Sequence, residues 1–239
     1  MLNMHISNNA HWKINVSELI IKRIKSYIAT KNKCTIFLTG GRSAASIYPY
    51  LKMELSSIEG EINFFLGDER CVPETHEDSN YRMILETLFP SGFSSGQKLY
   101  KMFDENDSAE EAAWKYEKLI TDKPDILLLG LGDDGHIASL FPGSNWQEKN
   151  SKKVVQVISP YNGMKRITIT RHVIEDASEI IVLAAGSKKS QVVKDLFSSD
   201  PCIKDYPAVL AKNGIWLLDE SAAAELNTNN IHIKSDLNI

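Results

Sequence analysis

The segment Gly130-Leu131-Gly132-Asp133-Asp134-Gly135-His136 carries the side chain best suited to proton transfer. Asp134 precedes His136 by two positions, close enough for its carboxylate to orient the imidazole and stabilise its protonated form. With a reference pKa of ~6.5, an imidazole offers a neutral nitrogen to water at neutral pH. His136 is therefore read as a general acid–base residue, with Asp134 as its orienting partner. The plainer alternative is a structural or solvated histidine, but flanking glycines at the end of an apolar run favour chemistry. Gly130–Gly135 also fits the pattern G-x-G-x-x-G. Two acids lie where a pyrophosphate would sit, however, and no acidic residue ends a second strand ~20 residues on. Nicotinamide binding is disfavoured.

Other clusters could hold an anion. In Gly40-Gly41-Arg42-Ser43, adjacent glycines let backbone N–H groups approach a ligand, and a helix start adds a favourable dipole. Ser43 is read either as that helix's N-cap or as a hydroxyl donor to phosphate. Asp68-Glu69-Arg70 sets two carboxylates beside a guanidinium, the group that best binds phosphate or carboxylate with two hydrogen bonds. Gly186-Ser187 ahead of Lys188-Lys189 could form another anion-binding turn. The plainer readings are an ordinary strand-to-helix turn, a surface salt-bridge cluster and exposed lysines, and Lys188 is read in that last way. Gly41-Arg42-Ser43-Ala44-Ala45 lacks the second glycine of a nucleophile elbow, and no His-x-x-x-His or His/Cys spacing points to zinc.

The elements that must position these groups follow from periodicity. Apolar runs at Cys34–Thr39, Ile62–Leu66, Asp125–Leu129, Val154–Ile158, Arg166–Thr170, Glu179–Ala184 and Ile215–Leu218 are predicted strands. Helices are predicted at Trp12–Ala29, Ala44–Ser56, Ser79–Leu88, Ala109–Ile120 and Lys189–Phe197. Alternation of the two predicts an α/β fold: one doubly wound, mostly parallel sheet with helices on both faces, a single domain over residues 1–239. In such sheets ligands bind beyond the carboxyl ends of the strands. Three predicted strands end there in glycine followed by reactive residues, at Gly40, Gly67 and Gly130. That convergence is the main argument for a single site.

Composition narrows the partners. The chain has 239 residues and a net charge of -4, which gives no electrostatic reason to expect nucleic acid or an anionic membrane. A local cationic cluster must draw any anionic ligand. Cys34, Cys71 and Cys202 are odd in number and lack metal-ligand spacing, so they are expected to be reduced thiols. The polar start MLNMHISNNAHW is not a signal peptide, and no run approaches the ~20 apolar residues of a membrane span. A cytoplasmic protein is expected, as a monomer or a small homo-oligomer. The polar tail from Asn227 to Ile239 is expected to be loosely held.

Five blocks in order resemble the 6-phosphogluconolactonases, a family whose superfamily also holds glucosamine-6-phosphate deaminases. They are Leu38-Thr39-Gly40-Gly41-Arg42-Ser43; Asp68-Glu69-Arg70-Cys71-Val72-Pro73 with Ser79-Asn80; Gly130 through Pro142; Arg166-Ile167-Thr168-Ile169-Thr170; and Gly186-Ser187-Lys188-Lys189. Ala44, Cys71 and Ile137 stand where the family commonly has proline, an aromatic residue and threonine. The resemblance implies hydrolysis of a 6-phosphorylated sugar lactone without metal or organic cofactor. His136, Asp134 and Arg70 would be catalytic, and Gly40, Gly41, Arg42, Ser43, Asp68, Arg166 and Lys189 would bind substrate. Arg166 and Lys189 gain a role only through this resemblance. Two rival readings are a deaminase–isomerase and a non-catalytic sugar-phosphate sensor. The resembling deaminases carry Tyr where this chain has Arg70, and an acidic segment where it has Ser139-Leu140-Phe141-Pro142. A sensor would normally append a DNA-binding module, for which the segment before the first predicted strand is too short.

Overall fold

The apolar runs KCTIFL and EINFFL are buried almost throughout and pair in parallel as β2 (Lys33–Leu38) and β3 (Glu61–Leu66). Strands covered on both faces need no polar alternation. The computed structural model describes residues 3–148, 151–198, 205–226 and 233–234. Around the first pair stand β1 (Asn3–Ser7), β5 (Gln97–Leu99), β6 (Ile126–Gly130), β9 (Glu179–Ala184), β10 (Ile215–Asp219) and β11 (Ile233–Lys234). Together they form an eight-stranded sheet in the order β11-β1-β10-β9-β6-β2-β3-β5, with every neighbouring pair parallel.

The connections are helices, as parallel pairing requires. They are α1 (Trp12–Lys31), α2 (Gly41–Leu55), α3 (Asn80–Thr87), α4 (Ala109–Leu119), α5 (Arg171–Asp176) and α6 (Ser190–Phe197). Ser79 caps α3 by accepting a hydrogen bond from the Arg82 N–H, as the Asp78-Ser79-Asn80 sequence suggests. Ser108 and Glu111 form a reciprocal capping box that starts α4. The core contains Trp216, Tyr48, Tyr116, Phe37 and Phe64, all with under 2% exposure. Tyr48 and Tyr116 also serve the strand ends, where they donate to the carbonyls of Thr39 (2.6 Å) and Leu66 (3.2 Å).

Two predicted strands belong elsewhere. β7 (Val154–Ile158) and β8 (Lys165–Ile169) form an antiparallel hairpin, and β4 (Asp68–Arg70) joins it as a third strand. Gly67 is the hinge between the sheets, because its N–H donates to Leu38 O while its carbonyl accepts from the Ile169 N–H. The strand β1 was not predicted, since NMHIS shows no apolar run and gains its character only from pairing with β10. Cys34 is buried and Cys71 half-buried, both as free thiols, whereas Cys202 lies outside the described residues. So does the polar tail, apart from β11. Among the described residues no helix is long and apolar enough to cross a membrane.

Candidate active site

The strand order reverses between β2 and β6, and the crevice beyond their carboxyl ends is where an open α/β sheet binds ligands. Thr39 ties the two loops together there by accepting a hydrogen bond from the Gly130 N–H at 3.1 Å. A cleft of about 890 Å³ opens at this point, within the roughly 300–1,000 Å³ common for small-molecule sites. All ten residues singled out as catalytic or substrate-binding line it: Gly40, Gly41, Arg42, Ser43, Asp68, Arg70, Asp134, His136, Arg166 and Lys189. With Lys188, five cationic side chains face the space, in a chain whose net charge is -4.

The histidine loop is built around one contact. Nδ1 of His136 lies 2.5 Å from Asp134 Oδ1, and the same oxygen accepts the His136 N–H at 3.2 Å. Asp134 Oδ2 accepts from the Tyr161 hydroxyl. Burial alone would raise the Asp134 pKa, but the hydrogen bonds from His136 and Tyr161 outweigh it and hold the carboxyl below its usual range. The acid is therefore ionised, so Nδ1 carries the proton and Nε2 is the nitrogen available for proton transfer. Gly132 makes this possible: a Cβ there would stand 2.1 Å from His136 Nδ1 and 2.5 Å from Asp134 Oδ1. Phe141 flanks the imidazole at 5.2 Å and meets Tyr161 edge-on. Tyr161 is a residue that the sequence alone did not suggest.

The glycine loop differs from expectation at its helix start. α2 begins at Gly41 with Gly40 as N-cap, so Ser43 lies inside the first turn and is not the cap. Gly41 has φ +87°, which favours glycine, and a Cβ on Gly40 would collide with the Asn80 side chain. Gly41, Arg42 and Ser43 line the cleft at the end of α2 where backbone N–H groups have no partner within the helix.

The arginines come from the small sheet. Arg70 and Arg166 are direct partners across β4 and β8. Arg70 Nη1 donates to Asp78 O at 2.5 Å. Arg166 stacks over Phe141 at 5.5 Å and reaches Ser139 Oγ at 3.4 Å and Asp68 at 4.0 Å. Burial lowers the Arg166 pKa, with Asp68 opposing and Arg70 reinforcing the shift. The Nε atoms of both arginines are buried and lack a hydrogen-bond partner among the described residues. Asp68 is held from behind, accepting from Ser139 Oγ at 2.6 Å while Asn80 Nδ2 donates to its carbonyl at 2.9 Å. Glu69 points the other way. It accepts the N–H groups of Arg70, Asn80 and Tyr81 at 2.7–2.8 Å, and burial pushes it up to about 7 against those bonds.

The last wall is the turn after β9. Both Asp219 oxygens accept the Gly186 N–H at 3.0 Å, and Oδ1 also accepts the Ala222 N–H at 2.7 Å. Asp219 thus pins the turn that carries Lys189. The predicted Lys-led helix starts one residue later, at Ser190, with Lys189 in the preceding 3-10 turn. No group of three or more His, Cys, Asp or Glu side chains among the described residues is placed to hold a metal ion.

Residues 7–217 match the family described as glucosamine-6-phosphate isomerases/6-phosphogluconolactonase. The chain belongs to this family. A 6-phosphogluconolactonase of Mycobacterium tuberculosis is 30% identical over 224 residues, covering 87% of this chain and 91% of the relative. One from Synechocystis is also 30% identical, over 87% of this chain and 90% of its own. Among solved structures, the 6-phosphogluconolactonase of Trypanosoma cruzi superposes with a TM-score of 0.80 at 26% identity, covering 95% of this chain and 97% of that one. A monomeric glucosamine-6-phosphate deaminase superposes at 0.76 with 20% identity, over 94% of this chain and 100% of its own, which speaks to the shared fold alone. The family that the chain matches is named for both an isomerase and a lactonase.

Proposed function

We propose that this protein hydrolyses 6-phospho-D-glucono-1,5-lactone to 6-phospho-D-gluconate, the second step of the oxidative pentose phosphate route, in the cytoplasm. The observation that carries the reading is an ionised Asp134 holding His136 by Nδ1 in a cleft lined by five cations. The lactonase reading is favoured over deamination by Arg70, where the resembling deaminases have tyrosine, and by Ser139-Leu140-Phe141-Pro142 in place of their acidic segment. The relatives from Mycobacterium tuberculosis and Synechocystis and the Trypanosoma cruzi structure are also named as lactonases.

In this mechanism His136 Nε2 takes a proton from water as the water oxygen bonds to the lactone carbonyl carbon. Arg70 and Arg166 supply the positive charge that stabilises the resulting oxyanion and the substrate's outer charge. As the tetrahedral intermediate collapses, the bond to the ring oxygen breaks and His136 returns the proton to that oxygen. Asp134 stays ionised throughout and stabilises the transient imidazolium. Gly40 and the first turn of α2, from Gly41 through Ser43, form the phosphate cradle with Lys189. Asp68 acts on substrate through Arg166, which it helps to hold. The steps call on no metal or organic cofactor, because an ester carbonyl needs only an activated water and a stabilised oxyanion.

The test compares two substrates. Freshly generated lactone, coupled to 6-phosphogluconate dehydrogenase, should be hydrolysed well above its spontaneous rate, while glucosamine 6-phosphate should release no ammonia. The reverse pattern would replace the lactonase reading with the deaminase one.

A further inference from the structure

β4 is the edge strand of the small sheet, so N–H groups on its outer side face no neighbouring strand. Strand alternation turns Asp68 and Arg70 toward the cleft and the intervening Glu69 away from it. Glu69 is 3% exposed, and four donors converge on its carboxylate. Oε1 accepts the N–H groups of Arg70 at 2.7 Å and Asn80 at 2.8 Å. Oε2 accepts the Tyr81 N–H at 2.7 Å and the Ser79 hydroxyl at 3.3 Å. One buried carboxylate thus joins the last residue of β4 to the cap and the first two residues of α3.

These contacts bear on Arg70 from both ends. Its N–H is taken by Glu69, and its Nη1 donates to the carbonyl of Asp78 at 2.5 Å. Asp78 directly precedes Ser79, so the carbonyl that steers the guanidinium borders the segment that Glu69 holds. The Nε of Arg70 is buried without a hydrogen-bond partner among the described residues, which leaves the Asp78 carbonyl to fix where the guanidinium points. Asn80 is braced separately, through its own bond to the Asp68 carbonyl. A carboxylate suits the task because it offers about four lone pairs and no donor. A glutamine has one accepting oxygen, and its amide would turn N–H groups toward N–H groups.

We propose that Glu69 is a positioning residue for the reaction, a buried carboxylate outside the cleft that acts on substrate through Arg70. It fixes both the Arg70 backbone and the carbonyl that the guanidinium grips. This rests on the reading of Arg70 as a cation that the reaction uses.

A double-mutant cycle on kcat/KM for lactone hydrolysis separates this role from a purely structural one. Arg70→Ala keeps the N–H that Glu69 accepts and removes the guanidinium. It should lower kcat/KM about 10²-fold. Beside an intact Arg70, Glu69→Gln should lower it about tenfold, through a misplaced guanidinium. In the Arg70→Ala background the same change should cost less than about twofold. Circular dichroism gives the folded fraction by which each rate is scaled, and enzyme is raised until hydrolysis exceeds the spontaneous rate. Glu69→Asp, with both oxygens one methylene short, should show the same coupling at smaller amplitude, and it carries the cycle if Glu69→Gln does not fold. An equal loss in both backgrounds, or wild-type kcat/KM in a folded Glu69→Gln protein, would overturn the proposal. Wild-type kcat/KM in Arg70→Ala would instead remove the reading of Arg70, and the proposal with it.

Discussion

Asp134 holds His136 by Nδ1 at 2.5 Å while its other oxygen accepts the hydroxyl of Tyr161, a residue on the turn between β7 and β8. The relationship joins the two sheets across the cleft. The loop after β6 supplies the acid and the imidazole, whose hydrogen bond is the larger force holding the acid ionised, and the antiparallel hairpin supplies a second donor that adds to it.

Asp134→Asn removes the charge and lets the side chain present either an oxygen or an amide to Nδ1. Turnover should fall on the order of 10²- to 10⁴-fold, with the wrong tautomer favoured. The stability effect has a definite sign. The folded-state pKa of Asp134 lies below its ordinary 3.8, so the ionised carboxyl contributes stability above about pH 4 and loses it as pH falls further. Denaturant unfolding of both proteins should show wild type ahead at pH 6, with the gap closing below pH 4. A gap that widens on acidification would contradict the assignment.

Gly132→Ala tests the packing that fixes the ring. The added methyl would stand within 2.5 Å of both His136 and Asp134. A displacement near 1 Å should cost about 10²-fold in kcat, while the binding of glucose 6-phosphate changes little. Loss of phosphate binding with kcat retained would place Gly132 in the wrong part of the site.

The sequence made much of this site legible, for a physical reason. Gly40–Ser43, Asp68–Arg70 and Gly130–His136 each follow an apolar strand directly, and strand ends converge in a parallel sheet. Pairing partners were less legible. The runs at Val154–Ile158 and Arg166–Thr170 read as strands, but nothing local tells a strand whether it will join the large sheet or, as here, a hairpin with Asp68–Arg70. Tyr161 acts over 27 positions and Asp219 over 33, distances at which spacing carries no signal. Asp219 could still have been found, because it ends the apolar strand Ile215–Asp219 on the edge that already held three glycine loops.

Asp219→Ala should strip the Gly186 and Ala222 N–H groups of their acceptor, costing roughly 1–3 kcal/mol of stability for buried donors left unpaired. Because the turn it pins carries Lys189, KM for the phosphorylated substrate should rise more than kcat falls. Asp219→Asn retains one acceptor oxygen for both N–H groups and should recover most of the KM. A uniform loss of kcat in both variants, with KM unchanged, would separate Asp219 from substrate binding.

The central claim is that His136 moves the proton in lactone hydrolysis, and one measurement addresses it most directly. Hydrolysis of freshly generated 6-phosphogluconolactone, followed through 6-phosphogluconate dehydrogenase, is compared for wild type and His136→Ala, with circular dichroism confirming that both are folded. The account predicts rapid hydrolysis by wild type and a fall in kcat of about 10²- to 10⁴-fold in the variant, with glucose 6-phosphate binding retained. A folded His136→Ala protein that hydrolyses the lactone at the wild-type rate would contradict it.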